Sequence, residues 1–161
     1  GQITEEWSVF GGVLFMDSER KVSSYWETAR KLANSGDYNS EYDSFDGDEL
    51  AFTPNYTGNL WTTYRFPVGL TIGGGFQYVS GSYVGRPDDA ERIIPNGRYG
   101  KLEDYLVFNA LVAYEVSENV TIRLNVDNVF DEVYAASSNW SGVRSSLGPP
   151  RTYTVSADWK F

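Results

Sequence analysis

The chain has 161 residues, 41% hydrophobic and 16% aromatic, a formal net charge of −9, and neither cysteine nor histidine. That apolar content suffices for one folded domain and argues against disorder, while the missing Cys and His remove disulfide frameworks, thiolate metal sites and the commonest metal ligand and general base. Acidity without a basic run excludes a nucleic-acid partner, and twelve Tyr, nine Phe and five Trp beside 16 Gly and 6 Pro is a composition of strands and turns.

In chain order, alternation first predicts a strand over 5–17, with Trp7, Val9, Val13 and Phe15 on one face. A long connection, 17–50, follows, carrying nine acidic and four basic residues. Within it, Trp26, Arg30 and Leu32 allow a short helix around 25–33, and the Asp, Ser, Tyr and Gly of 37–48 favour disorder. Asp43, Asp46, Asp48 and Glu49 lack the alternate-position oxygens and terminal glutamate of a calcium loop, so they read as a solvated acidic stretch. Strands are next expected over 52–66, with Tyr56, Leu60, Tyr64 and Phe66 sharing a face, and over 69–80, with Leu70, Ile72, Phe76 and Tyr78. Only Phe66-Pro67-Val68-Gly69 separates these two.

After a second long connection, 80–103, the even positions of 104–117 carry Leu106, Phe108, Ala110, Val112, Tyr114 and Val116. The turn Ser117-Glu118-Asn119 leads into a strand over 119–134, where Val120, Ile122, Leu124 and Val126 oppose Thr121, Arg123, Asn125 and Asp127. A third long connection, 135–150, precedes the last strand, 151–161. There Tyr153, Val155, Ala157, Trp159 and Phe161 alternate without error against Thr152, Thr154, Ser156, Asp158 and Lys160.

Six strands, the last with one wholly apolar and one wholly polar face, 104–117 with a mixed face opposite its apolar one and the first three less regular, form an antiparallel up-and-down meander. No run approaches the ~20 apolar residues of a membrane helix. A mean hydropathy of −0.40 does not exclude a membrane, because a barrel strand alternates lipid-facing with lumen-facing side chains. Short turns alternating with long loops are the outer-membrane pattern, short on the periplasmic side and long on the extracellular side. Trp7, Tyr64, Phe66, Tyr114, Trp159 and Phe161 fall at the short-turn ends, where amphipathic rings meet a lipid–water interface. The fold class is therefore all-β, a transmembrane β-barrel segment of about six strands, too few for closure, which takes about eight in the smallest bacterial barrels.

Several stretches resemble those of TonB-dependent outer-membrane receptors of the siderophore-receptor type. They are Leu50-Ala51-Phe52-Thr53-Pro54 leading to Leu60-Trp61-Thr62-Thr63-Tyr64, then Asn128-Val129-Phe130-Asp131 with Tyr134 three residues on, and Pro150-Arg151 before a strand ending in Phe161. Val129 replaces the usual leucine of the third element. The resemblance spans nearly the whole chain and identifies 1–161 as the C-terminal portion of a barrel of about 22 strands, with the plug domain absent from this sequence. It implies import of a metal chelate such as a ferric siderophore, and energy coupling to TonB through N-terminal parts lying outside this sequence. It further implies outer-membrane lipid around the wall, recognition of Phe161 by the barrel assembly machinery, and no catalysis or cofactor. A passive diffusion pore shares the alternation and loop asymmetry, and a soluble β-sandwich binding module is a third reading.

Polar-face Arg65, Gln77, Asn109, Glu115, Arg123, Asn125, Asp127, Asp158 and Lys160 would line the lumen, either against a plug or as a solvated, charge-balanced wall. Candidate ligand-binding residues lie in the second and third long loops: Tyr83, Arg86, Arg98 and Tyr99, then Trp140 and Arg144. In 135–151 the only charges are Arg144 and Arg151. An anionic aromatic chelate calls for guanidinium to pair its charge and an indole to stack on it.

Overall fold

The computed structural model describes residues 1–19, 21, 24, 49–84, 100–139 and 144–161. The expected helix at 25–33 and the expected disorder at 37–48 fall outside them. One six-stranded sheet dominates. Its strands are β1 (Trp7–Phe15), β2 (Tyr56–Arg65), β3 (Leu70–Val79), β6 (Tyr105–Ser117), β7 (Val120–Asp127) and β10 (Thr152–Trp159), all antiparallel to their neighbours in the order β1-β2-β3-β6-β7-β10. Each strand thus pairs with the preceding member of the sheet, as in a meander.

Two small hairpins rise from the long connections. They are β4 (Ser82–Val84) with β5 (Gly100–Leu102), and β8 (Ala135–Ser138) with β9 (Ser145–Leu147). Sequence alternation did not foresee them, because each strand is only three or four residues long and carries no readable period. The fifth strand of the sheet also stops earlier than alternation suggests. It ends at Asp127 because Asn128 takes the left-handed conformation, φ 53°, which turns the chain out of the ladder.

Register decides which side chains share a face. Trp7 pairs with Tyr64, Tyr64 with Ile72, Ile72 with Val112, Val112 with Leu124, and Leu124 with Val155. Opposed residues of an antiparallel pair project to the same side, so every apolar set read from the sequence lands on one continuous face. A slip of one residue at any ladder would have scattered that set to both sides. Between Glu115 and Ser117 the register does shift, at the margin of the sheet beside the Ser117-Glu118-Asn119 turn.

That face is uncovered. Val13, Phe15, Tyr153, Val155 and Trp159 are each more than 60% exposed, whereas Val84, Val107 and Ala113 are the buried hydrophobic residues among those described. A soluble sandwich would lay a second sheet over such a surface; the described residues contain no second layer on it. Such an exposed apolar face is suited to lipid. Aromatic pairs mark both margins, with Tyr64 on Phe66 at 4.8 Å by the short turns, and Phe15 on Tyr56 at 6.2 Å and Phe76 on Phe108 at 6.0 Å toward the long loops.

The opposite face is polar but not uniformly so. Arg65 donates to both carboxylate oxygens of Glu115, at 2.9 and 3.1 Å, and Arg123 lies 3.6 Å from Asp158. Trp61 spreads across Gly73 and Gly75, where a Cβ on Gly75 would overlap the Leu60 carbonyl oxygen and the indole. At the short-turn end, Gly69 adopts φ 79° and its carbonyl accepts the Glu115 N–H at 3.0 Å. The β2–β3 turn is thereby stitched to β6.

Candidate functional site

The long-loop end carries the candidate ligand-binding residues, of which the structure describes Tyr83 and Arg144; Arg86, Arg98, Tyr99 and Trp140 lie outside the described residues. Tyr83 sits in β4 directly opposite Lys101 of β5, and the Lys101 ammonium lies 5.3 Å from the centre of the Tyr83 ring. The Tyr83 carbonyl accepts the Phe52 N–H at 2.7 Å, which ties the hairpin to the segment entering β2. Lys101 was not among the sequence candidates. Its signal, a cation facing an aromatic, exists only once the hairpin register is known.

Arg144 immediately precedes β9, at the loop end of the β8–β9 hairpin. Its N–H donates to Asn139 Oδ1 at 3.2 Å, and its carbonyl accepts the Asn139 N–H at 2.9 Å and the Ser138 hydroxyl at 3.1 Å. These backbone bonds fix the Cα and leave the exposed guanidinium to project from the hairpin. Strands β5 and β8 lie in contact, so the Tyr83 and Arg144 hairpins are neighbours. Between the feet of the two, the Tyr105 and Tyr134 rings stack at 4.2 Å and 31°.

Below the β8–β9 hairpin the Asn-Val-Phe-Asp element forms a turn, with the Asp131 N–H donating to the Asn128 carbonyl at 2.9 Å. Asn128 is 1% exposed. Its Nδ2 donates to the carbonyls of Glu132 and Pro149, at 2.9 and 3.0 Å, and its Oδ1 accepts the Glu132 N–H at 2.8 Å. Asp131, also left-handed at φ 57°, accepts the Arg151 N–H at 2.8 Å. Phe130 packs edge-on against Phe108 at 5.2 Å. Asn and Asp tolerate a positive φ better than bulkier residues, which explains why these two types recur where the chain turns outward.

One lumen expectation changes. Asn109, read as free to face a plug or water, uses its Oδ1 to accept the Asn128 N–H at 2.9 Å. It braces the turn beside it, a role invisible without knowing that Asn109 lies next to the end of β7.

The sheet has one exposed apolar face, paired charges on the other, and hairpins standing over its long-loop margin. Residues 6–129 match the family model described as TonB dependent receptor-like, beta-barrel. The chain belongs to this family. TonB-dependent receptors are outer-membrane β-barrel proteins, a localisation that suits the exposed apolar face. Over 161 residues the chain is 31% identical to the catecholate siderophore receptor Fiu of Escherichia coli strain K12, covering 100% of this chain and 18% of that receptor. The closed crystal form of the E. coli K12 ferric-catecholate import receptor Fiu superposes with a TM-score of 0.72 at 27% identity, over 100% of this chain and 20% of that one. The siderophore receptor PiuA of Acinetobacter baumannii gives a TM-score of 0.75 at 24% identity, again over 100% and 20%, a likeness of fold. The chain thus spans about a fifth of the receptors it matches.

Proposed function

We propose that this chain is the C-terminal portion of the barrel of an outer-membrane receptor, not an enzyme, that imports a ferric siderophore of catecholate type. The observation that carries the reading is the family match on a sheet whose register places every apolar set on one face, together with similarity, over the whole of this chain, to a fifth of a catecholate siderophore receptor. A passive pore explains the alternation but not the match to a TonB-dependent family. Coupling to TonB belongs to the parts of the receptor outside this sequence, and Phe161, exposed at the end of the last strand, is the residue offered to the barrel assembly machinery.

In this reading Tyr83, Arg86, Arg98, Tyr99, Trp140 and Arg144 form an aromatic and cationic mouth for an anionic chelate, with Lys101 added beside Tyr83. The acidic connection over 17–50 repels such a ligand; the loop over 135–151 carries no acid. The test is affinity of the complete, detergent-solubilised receptor for a ferric catecholate. A direct charge-assisted contact contributes roughly 1.5–3 kcal/mol, so Arg144→Ala weakens binding by about ten- to a hundredfold. Trp140→Ala also weakens it, and Arg20→Ala in the acidic connection does not. If all three bind equally, recognition lies elsewhere in the receptor.

A further inference from the structure

We propose that Asn128 is a positioning residue for ligand capture, acting through a hydrogen-bonded neck that holds the β8–β9 hairpin at a fixed angle to the barrel wall. The proposal rests on the siderophore-receptor reading for what is captured, but the mechanical part stands on geometry alone.

A connection leaving β7 and returning to β10 has two limbs. The side chain of Asn128 bonds both: Nδ2 reaches the Glu132 carbonyl on the outgoing limb and the Pro149 carbonyl on the returning one. Three further contacts close the same neck. Gly148 N–H donates to the Tyr134 carbonyl at 2.9 Å, Arg151 N–H to Asp131 Oδ1 at 2.8 Å, and the Arg151 guanidinium to the Val129 carbonyl at 3.3 Å. The neck is in turn fastened to the wall, since the Asn128 N–H donates to Asn109 Oδ1 and the Val129 N–H to the Phe108 carbonyl at 2.7 Å. Above it, Gly148 lies so close to the Tyr134 ring that an added Cβ would overlap it, and Tyr134 is backed by Tyr105.

The chemistry requires an amide at 128. Nδ2 supplies two donors to two carbonyls while Oδ1 takes the Glu132 N–H, so one carboxamide, itself 1% exposed, satisfies three groups. Aspartate would aim a carboxylate oxygen at two carbonyl oxygens in that buried position, and alanine would remove all three bonds. With the neck cut, the hairpin carrying Arg144 samples many orientations. Apparent affinity then falls with the fraction of molecules in the binding orientation, so one in ten gives about a tenfold loss.

The experiment uses the complete receptor with a nitroxide attached at Ser146 in exposed β9, and ferric tris-catecholate as probe. Asn128→Ala and Asn128→Asp are expected to sharpen the nitroxide spectrum, reporting a freer hairpin, and to weaken probe binding about tenfold. Arg144→Ala should weaken binding without changing the spectrum, a split that separates position from contact. Gly148→Ala, which displaces Tyr134 without touching Asn128, loosens the same hairpin and supplies the test if the Asn128 variants do not fold. A spectrum unchanged in all the neck variants overturns the proposal, as does a loosened hairpin with undiminished affinity. Wild-type receptor indifferent to the ferric probe refutes the siderophore reading instead, and a nitroxide that still loosens then supports the neck.

Discussion

Leu124→Arg and Asn125→Arg place the same charge at the same depth on opposite faces of one strand. Leu124 pairs with Val112 and Val155 on the apolar face, and Asn125 with Leu111 and Thr154 on the polar face. Leu124 follows Val120, the first residue of β7, by four positions. With a rise of about 3.4 Å per residue and a strand tilt of about 40°, it stands roughly 10 Å above the short-turn margin, close to the middle of an apolar band about 25 Å tall. Arginine at the midplane on the lipid face costs about 2–4 kcal/mol. Asn125→Arg keeps its charge on the hydrated side, and its expected cost is below about 1 kcal/mol, in the range of ordinary surface changes. The assay is reversible denaturant unfolding of the complete barrel in lipid vesicles. Equal costs, or a larger cost at Asn125, would refute the assignment of faces. Asn109→Arg would add a separate loss, because Asn109 Oδ1 accepts the Asn128 N–H.

Two further outcomes are checkable in the same assay. Gly75→Ala should destabilise by roughly 1–3 kcal/mol, the usual range for overpacking, because the new Cβ meets the Leu60 backbone. Gly74→Ala, whose nearest neighbour is the Asn109 carbonyl at an ordinary 3.6 Å, should be nearly neutral. Arg65→Ala should cost less than about 1 kcal/mol, and less again in high salt, because the Arg65–Glu115 pair is largely exposed at 62% and 44% and surface pairs are screened. An Arg65→Ala loss of several kcal/mol, independent of salt, would show that the pair is buried in the complete receptor.

The six sheet strands were legible because each runs for eight residues or more, long enough for an apolar set at period two to be read even where, as in the first three, glycines or apolar residues on the other face weaken it. Val112, Leu124 and Val155 could be assigned to one face before any pairing was known, since parity within each strand suffices and antiparallel register then aligns them. The β4–β5 and β8–β9 hairpins offered neither length nor period. Lys101 illustrates the cost. It was one basic residue in a polar loop until the pairing of β4 with β5 set it over Tyr83.

Asn128 shows a different kind of illegibility. The Asn-Val-Phe-Asp element served as a mark of kinship, yet sequence could not say why an asparagine stands there, because its partners are the carbonyls of Glu132 and Pro149 and the side chain of Asn109. Two of those lie about twenty residues away along the chain, and two are backbone atoms that any residue would supply. Side-chain identity at the partner positions therefore carries little record of the contact. The same logic separates wall from mouth. A wall residue answers to lipid, a solvent that imposes one rule on every strand, so its pattern repeats and can be read. A neck or mouth residue answers to particular atoms brought near by the fold, and its meaning appears only when those atoms have positions. Any ligand preference built on Arg144 inherits this dependence, since what the guanidinium can reach is set by the angle of a hairpin fixed at Asn128.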